Sequence, residues 1–412
     1  MSLDPVVPET CVLAIASHVV YGYVGNTMAA LVMQTLGCDV AALNTVQYSN
    51  HTGYRQWKGT KASSKEMQDL YTGLKQSYLT NFDVLLTGYA PSAETVDAVG
   101  SIARDLKLKS SMKAGSFFWI LDPVMGDQGK LYVSEDVVPV YRNLLRDADL
   151  ILPNQFEAEL LSETKITSLS SLKEAITQLH KTHRIPHIIV TSINLPDKPS
   201  TMSIIGSTAR SDFSPRIFKI DVPAIDCFFS GTGDMFAALT VVRLREAVTH
   251  ADLNNTKSWV SPNDVKAEDL PLAKAAEKVL GSMHTVLSKT KEARDKELEG
   301  MAGPLGVMEK EKDSEKRTWL RKTKAAEVKV VRCLGDLREP RLDWKAEAFD
   351  ENEGGGAIEH VGGPKVERAD GANGAGEREG LGMQHLAGTG KRLENGHGKK
   401  DSVDSTLPHR RA

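Results

Sequence analysis

Cys11-Val-Leu-Ala-Ile-Ala-Ser17 is an unbroken apolar run that ends on a hydroxyl. A strand with one wet face alternates apolar and polar residues; this run does not, so it reads as a strand buried on both faces, as in a parallel sheet. A loop with Gly22 and Gly25 follows. Asn26 then reads as the cap of a helix whose apolar positions are Met28, Leu31, Val32 and Leu36, stopped by Gly37. The same alternation continues. Asp39–Asn44, Phe82–Thr87, Phe117–Leu121, Asp149–Leu152 and His187–Thr191 read as strands. Helical patterns lie near 64–78, 92–107 and 136–147. Met202–Gly206 and Arg216–Asp221 look like an antiparallel addition, long helices follow at about 231–247 and 271–290, and Val328–Leu334 is a candidate last strand. Strand–helix alternation of this kind predicts a doubly wound α/β domain, a mostly parallel sheet flanked by helices.

Composition sets the limits of that domain. Of 412 residues, 41% are apolar and 25% charged, ordinary for a globular chain. A net charge of −3 gives no electrostatic case for nucleic acid or an anionic membrane. Cys11, Cys38, Cys227 and Cys333 are widely spaced, which excludes a disulfide scaffold and a cysteine-rich zinc site and fits a reducing compartment. The N-terminus has no signal-peptide pattern, and no apolar run is long enough to span a bilayer. Residues 351–412 hold 14 of the 33 glycines and no Phe, Trp or Tyr, so they bury too little to offset ordering entropy. The expected division is a domain over 10–347, with a charged exposed insertion at about 292–320, and a disordered Gly-rich tail over 348–412.

In doubly wound sheets ligands bind beyond the carboxyl ends of the strands. Ser17, Thr87–Tyr89, Asp122, Asn154 and Thr191–Ser192 all fall just after a predicted strand. Within Asp226-Cys-Phe-Phe-Ser-Gly231-Thr-Gly-Asp234, small residues open an amphipathic helix, whose free N–H groups favour an anion. Asp234 in that turn would repel a phosphate; it reads either as a general base for an attacking hydroxyl or as a complement to the helix N-terminus. Asp122-Pro-Val-Met-Gly-Asp127 reads as a Mg²⁺-holding pair or as a turn. Asn154 and Glu157 read as a helix-capping pair or as groups near a nucleotide phosphate and its metal. Asn50-His-Thr-Gly-Tyr54 is uninformative alone. His180, His183 and His187 have suggestive spacing, but Pro186 interrupts it.

Taken together, these segments resemble the pyridoxal kinases of the ribokinase-like superfamily, from about residue 10 to 290 and again at 322–340. The resemblance is carried by Ser17–Asn26, Asn44–Tyr54, Leu86–Tyr89, Asp122–Asp127, Pro153–Glu159 and Gly231–Asp234, in family order. It implies ATP-dependent phosphorylation of the 5′-hydroxyl of pyridoxal, pyridoxine and pyridoxamine. Asp234 would be the base, and Gly231, Thr232 and Gly233 the anion hole. Ser17, Thr52 and Tyr89 would hold the pyridine ring, with Val46 packed on it. Asp122, Asp127, Asn154 and Glu157 would organise Mg²⁺, or another divalent cation, and the ATP phosphates. Thr191, Ser192 and Tyr132 would contact the nucleotide, and Ile225, Asp226 and Cys227 would line its adenine side. A K⁺ or Na⁺ ion would sit near Asp122 and Thr191. A cytoplasmic, or also nuclear, homodimer is implied, with no nucleic-acid or membrane partner.

Some positions depart from the family pattern. Leu152 stands where relatives often carry Thr, which would weaken the monovalent site. The loop after Asp127 reaches Tyr132 quickly, implying a short lid over ATP, and Tyr21 replaces a basic residue. The segments at about 250–268 and 292–320 have no legible role. Two alternatives stand beside this reading: a hydroxymethylpyrimidine kinase of the same superfamily, and a non-catalytic vitamin-binding protein.

Overall fold

The apolar run becomes β1 (Cys11–Tyr21), four residues longer than its sequence suggests. Val12 and Ala14 enter one core cluster while Leu13 and Ile15 enter another, so both faces of the strand are covered. The computed structural model describes residues 6–193, 200–301, 311–351 and 358, all within one unit, Met1–Lys365. In chain order the elements are α1 (Gly25–Thr35), β2 (Asp39–Asn50), β3 (Gly59–Lys61), α2 (Ser64–Gln76), β4 (Val84–Thr87), α3 (Ala93–Lys109) and β5 (Phe118–Leu121). A small hairpin, β6 (Gly126–Asp127) and β7 (Lys130–Leu131), precedes α4 (Val137–Leu144) and β8 (Leu150–Ile151). Then come α5 (Gln155–Ser162), α6 (Leu169–His183), β9 (His187–Ile193), β10 (Thr201–Ala209), β11 (Pro215–Pro223) and α7 (Thr232–His250). The last are α8 (Pro271–Met301), α9 (Glu311–Ala325), α10 (Leu334–Arg338) and β12 (Glu347–Ala348).

Among the described residues the main sheet has ten strands in the order β12-β11-β10-β9-β8-β5-β4-β1-β2-β3. The six from β2 to β9 are parallel neighbours; β3 on one edge and β10, β11 and β12 on the other run antiparallel to theirs. β1 pairs with β2 on one side and with β4 on the other, so strand order reverses there. That reversal opens a crevice at the strand ends, the place where doubly wound sheets bind ligands. One core cluster unites α1, α7 and α8 with one face of the sheet, and the other unites α3 to α6 with the opposite face.

Several expectations are corrected. Asn26 does not cap α1; Val24 occupies the cap position. Asn26 instead lies buried and donates from Nδ2 to the Leu43 carbonyl at 3.0 Å and to Asn44 Oδ1 at 2.8 Å, tying α1 to β2. Val328–Leu334 is not a strand but a 3₁₀ turn, Val330–Cys333, leading into α10. Its buried residues Val330, Cys333 and Leu337 recur at helical spacing. The last strand is β12, which pairs Ala348 with Phe218, so the expected boundary at 347 cuts through an element. Ile358 is 3% exposed, and its N–H donates to the Thr167 carbonyl. The rest of the 348–412 tail beyond Glu351 lies outside the described residues.

The charged stretch at 292–320 is largely helical: α8 continues to Met301 and α9 starts at Glu311, as its Lys and Glu content favours. The 250–268 segment buries Trp259 against Phe118, ring centroids 4.1 Å apart, and Ser258 Oγ donates to Asp149 at 2.7 Å. His180 and His187 are buried and engaged by Ser207 and Thr208, so neither serves a metal.

Candidate active site

The N-terminus of α7 is fixed by a glycine that no other residue can replace without strain. Gly231, the cap residue, has φ +81°, and a Cβ there would lie 2.1 Å from the Tyr23 carbonyl oxygen. The turn therefore packs backbone-to-backbone on the loop after β1. Thr232, Gly233 and Asp234 form the first turn, whose N–H groups lack intrahelical partners. The Gly25 backbone N–H acts on Asp234 from the loop after β1 and draws its carboxyl down, against the effect of burial. Gly25, at φ +54°, leaves no room for a Cβ beside Ser17, whose carbonyl oxygen would be 2.0 Å away. Asp234 and Ser17 thus flank one glycine, joining the α7 turn to the rim of β1.

The rest of that rim follows from register. Ser17 pairs with Val46 just past a bulge at Thr45 of β2, and Ile15 pairs with Thr87 at the end of β4. Tyr89, two residues beyond Thr87, therefore stands beside Ser17 at the reversal point. Its carbonyl accepts from Thr45 Oγ1 at 2.7 Å. Burial, then Tyr48, pushes its phenol up to about 12, so it remains a donor. Val46 is 1% exposed and closes the floor.

Three carboxylates face one another across the strand ends. Asp122 follows β5, and its Oδ2 lies near Gly233, 3.9 Å from where a Cβ would stand. Burial, then Glu157 and Asp234, raise Asp122 well above the usual carboxylate range. Burial pushes Glu157 up to about 7, against the pull of three backbone N–H groups. Burial also pushes Asp234 up to about 6. A buried carboxyl raised by two neighbouring carboxylates, as Asp122 is, is suited to a cation or to proton transfer.

Asn154 and Glu157 form a reciprocal capping box at the start of α5. Glu157 Oε1 accepts from Met125 N at 2.8 Å and Gly126 N at 3.3 Å, and Oε2 accepts from Asn154 N at 3.0 Å. Asn154 Nδ2 donates to the Gly126 carbonyl at 2.8 Å. The pair therefore clamps the 125–126 turn, and Met125 in turn accepts the Tyr132 N–H at 2.8 Å. Asn154 also bridges to Thr191 within β9, and the next residue, Ser192, has a left-handed φ of 58°. Tyr132 is 49% exposed on the hairpin side. Asp127 is exposed, with Oδ1 accepting from Gln128 N.

Among the described residues no three metal-binding side chains converge into a cage. With Glu157 Oε1 already filled by two N–H groups, the cluster fits a divalent ion held mainly by phosphate oxygens and water, with Asp122 nearest the α7 turn. Leu152 is 4% exposed and belongs to the core cluster on the α7 side. Thr52 and Asp226 are exposed in their loops, while Ile225 and Cys227 are partly buried against the same core.

The sequence marked the Asn50–Tyr54 loop through the resemblance but not Glu327, which holds it. His51 Nε2 lies 3.1 Å from Glu327 Oε1, and the Tyr54 hydroxyl donates to the same oxygen at 2.8 Å. No local pattern could have paired residues 276 positions apart.

With this geometry in hand, the chain can be compared with known proteins. The phosphomethylpyrimidine kinase family matches residues 75–262. Pyridoxal kinase of Ovis aries is 39% identical over 306 residues, 71% of this chain and 90% of its relative. Pyridoxal kinase of Homo sapiens is 36% identical over 294 residues, 68% of this chain and 86% of its relative. Among solved structures, pyridoxal kinase from Leishmania donovani in complex with ADP and pyridoxamine superposes with a TM-score of 0.66 at 28% identity, covering 83% of this chain and 100% of that one.

Proposed function

The chain belongs to the pyridoxal kinase family, and from that premise we propose how its residues carry out the ATP-dependent phosphorylation of pyridoxal and related vitamers. The vitamer's pyridine ring sits at the strand ends of β1 and β4, held by Ser17, Thr52 and Tyr89 with Val46 packed on it, and its 5′-hydroxyl points to Asp234. Asp234 takes the hydroxyl proton as the oxygen attacks the γ-phosphorus of ATP. The new O–P bond forms as the bond to the β–γ bridging oxygen breaks, and ADP leaves with that electron pair. The N–H groups of Thr232, Gly233 and their neighbours in the α7 turn hold the charge on the transferring phosphoryl group. A carboxylate near 6 is largely ionised at neutral pH yet still basic enough to accept a proton.

Asp122 and Asp127 orient the metal–nucleotide complex, with Glu157 and Asn154 acting through the turn they clamp. A bound Mg²⁺ would neutralise phosphate charge. Thr191, Ser192, Tyr132 and Ile225–Cys227 receive the nucleotide, and a monovalent cation near Asp122 and Thr191 is part of the same reading, as is a homodimer.

The observation that carries this reading is the close packing of the α7 turn on the loop after β1, where Gly231 leaves no room for a Cβ beside the Tyr23 carbonyl and Gly25 none beside Ser17. The family matched at 75–262 shares its name with the competing substrate class, hydroxymethylpyrimidines. ATP turnover with pyridoxal, pyridoxine, pyridoxamine and hydroxymethylpyrimidine, side by side, tests the choice. Pyridoxal is expected to lead; preference for the pyrimidine would overturn the reading.

A further inference from the structure

The turn that carries Thr52 is short and exposed, yet its two neighbours are anchored from the far end of the chain. His51 is 8% exposed and Glu327 9% exposed. An ionised carboxylate only accepts, so His51 Nε2 and the Tyr54 hydroxyl both donate to the same Glu327 oxygen, at 3.1 and 2.8 Å. The two rings also pack together, centroids 4.7 Å apart. Burial and the Glu327 bond raise the Tyr54 phenol, which keeps it a donor. His51 Nδ1 is buried with no partner among the described residues.

Glu327 also touches the loop after β1. Gly22 has φ +100°, and a Cβ there would stand 2.7 Å from both Glu327 oxygens. Eight residues earlier, Trp319 Nε1 donates to the Gly53 carbonyl at 3.1 Å, and the Arg55 guanidinium lies 3.7 Å over the Trp319 ring. On its other side Gly53 approaches Ser230, next to the anion hole. One segment from the C-terminal third thus grips the 51–55 turn at every residue except Thr52.

We propose that Glu327 is a positioning residue for the acceptor side of the reaction: by holding His51 and Tyr54 it sets where Thr52 presents itself to the pyridine ring, with Trp319 fixing the backbone between them. The proposal rests on the reading that Thr52 contacts the vitamer. Loops that carry binding groups need such outside support, because the turn itself buries little.

The test is steady-state kinetics of the full chain with pyridoxal and ATP varied separately. Glu327→Ala removes the acceptor of both bonds and should raise the KM for pyridoxal about tenfold or more, as loss of hydrogen bonds to a buried carboxylate does. The KM for ATP should stay within about twofold. Glu327→Gln keeps an acceptor oxygen and should recover most of the loss. Tyr54→Phe should raise the pyridoxal KM by itself, and combined with Glu327→Ala it should add little, since the two act through one bond. If Glu327→Ala does not fold, Glu327→Gln and Tyr54→Phe alone carry the test. An unchanged pyridoxal KM, or equal shifts for both substrates, would overturn the proposal. A parent enzyme that does not turn over pyridoxal would instead sink the functional reading beneath it.

Discussion

At the start of α7 the groups that would meet a phosphate come from four consecutive residues, Gly231 to Asp234. Around the 51–54 turn, the groups that hold the acceptor side come from residues 276 positions apart. The first end is set by local backbone conformation, which a glycine pattern announces. The second is set by a tertiary contact, for which neither Thr52 nor Glu327 carries a local sign. The phosphate end should therefore fail sharply when one residue changes, while the acceptor end should lose affinity gradually.

The largest expected effect lies at the phosphate end. Asp234→Asn keeps size and polarity but removes the base, so turnover should fall at least ~10²-fold while ATP affinity holds. In the parent, kcat/KM should rise with pH up to about 6 and then level, and the variant should lack that limb. The same group makes a stability statement. Its folded value lies above the ordinary 3.8, so its favourable contribution is complete at acid pH and is lost as pH rises through about 6. Asp234→Asn should thus raise stability at pH 7 to 8 by roughly 1–2 kcal/mol, seen as a higher thermal midpoint, and do little at pH 4. A pH limb that persists in the variant would move the base elsewhere.

Next comes Gly231→Ala. The added methyl meets the Tyr23 carbonyl in a left-handed residue, and neither backbone can move without shifting the anion hole. The cost in stability should be about 1–3 kcal/mol. Turnover should drop about 10- to 100-fold, because small displacements at a reacting centre are expensive. Parent-like activity would mean the hole tolerates movement, and the contrast between the two ends would lose its basis.

The parallel centre of the sheet was legible because strands buried on both faces leave continuous apolar runs, as Cys11–Ser17 did. The antiparallel pair β10 and β11 was legible too. Val328–Leu334 was misread because a short apolar run does not distinguish a strand from a helical turn. Ser17, Val46 and Tyr89 meet through register, and Asp122, Glu157 and Asp234 through the shared strand-end rim, both of which strand–helix alternation anticipates. Gly25 was visible only as a loop glycine; its close approach to Ser17 needed the fold. Trp319 lay in the 292–320 stretch, whose charge suggested only solvent exposure, and Glu327 lay in the 322–340 segment with no role attached to it. Leu152 was expected to mark a weakened cation site, but its side chain sits in the core. Leu152→Thr should therefore cost stability, by about 1–3 kcal/mol for a buried hydroxyl, without lowering the K⁺ needed for half-maximal activity. A lower K⁺ requirement would show that the new hydroxyl reaches the ion.

The smallest effect concerns the end of the described chain, where a second distant contact resembles the one at Glu327 but lies far from the chemistry. Ile358 is buried with Ile166 and Leu169 in the α3-to-α6 core cluster, and its N–H is taken by Thr167. Glu351 pairs with Lys173 at 2.9 Å, but both are exposed, so that pair contributes little. Burying one Ile is worth about 1.5–3 kcal/mol. A chain ending at residue 350 should accordingly melt several degrees below the parent, at about 2–4 °C per kcal/mol. A chain ending at Ile358 should melt within about a degree of the parent, since residues 359–412 contain no Phe, Trp or Tyr to bury. Both should keep their pyridoxal KM at 25 °C, because neither cut touches the 51–54 turn or Glu327. Equal melting points for the two truncations would show that Ile358 anchors nothing. A raised pyridoxal KM in either would show that the acceptor end depends on more of the chain than Glu327 and Trp319.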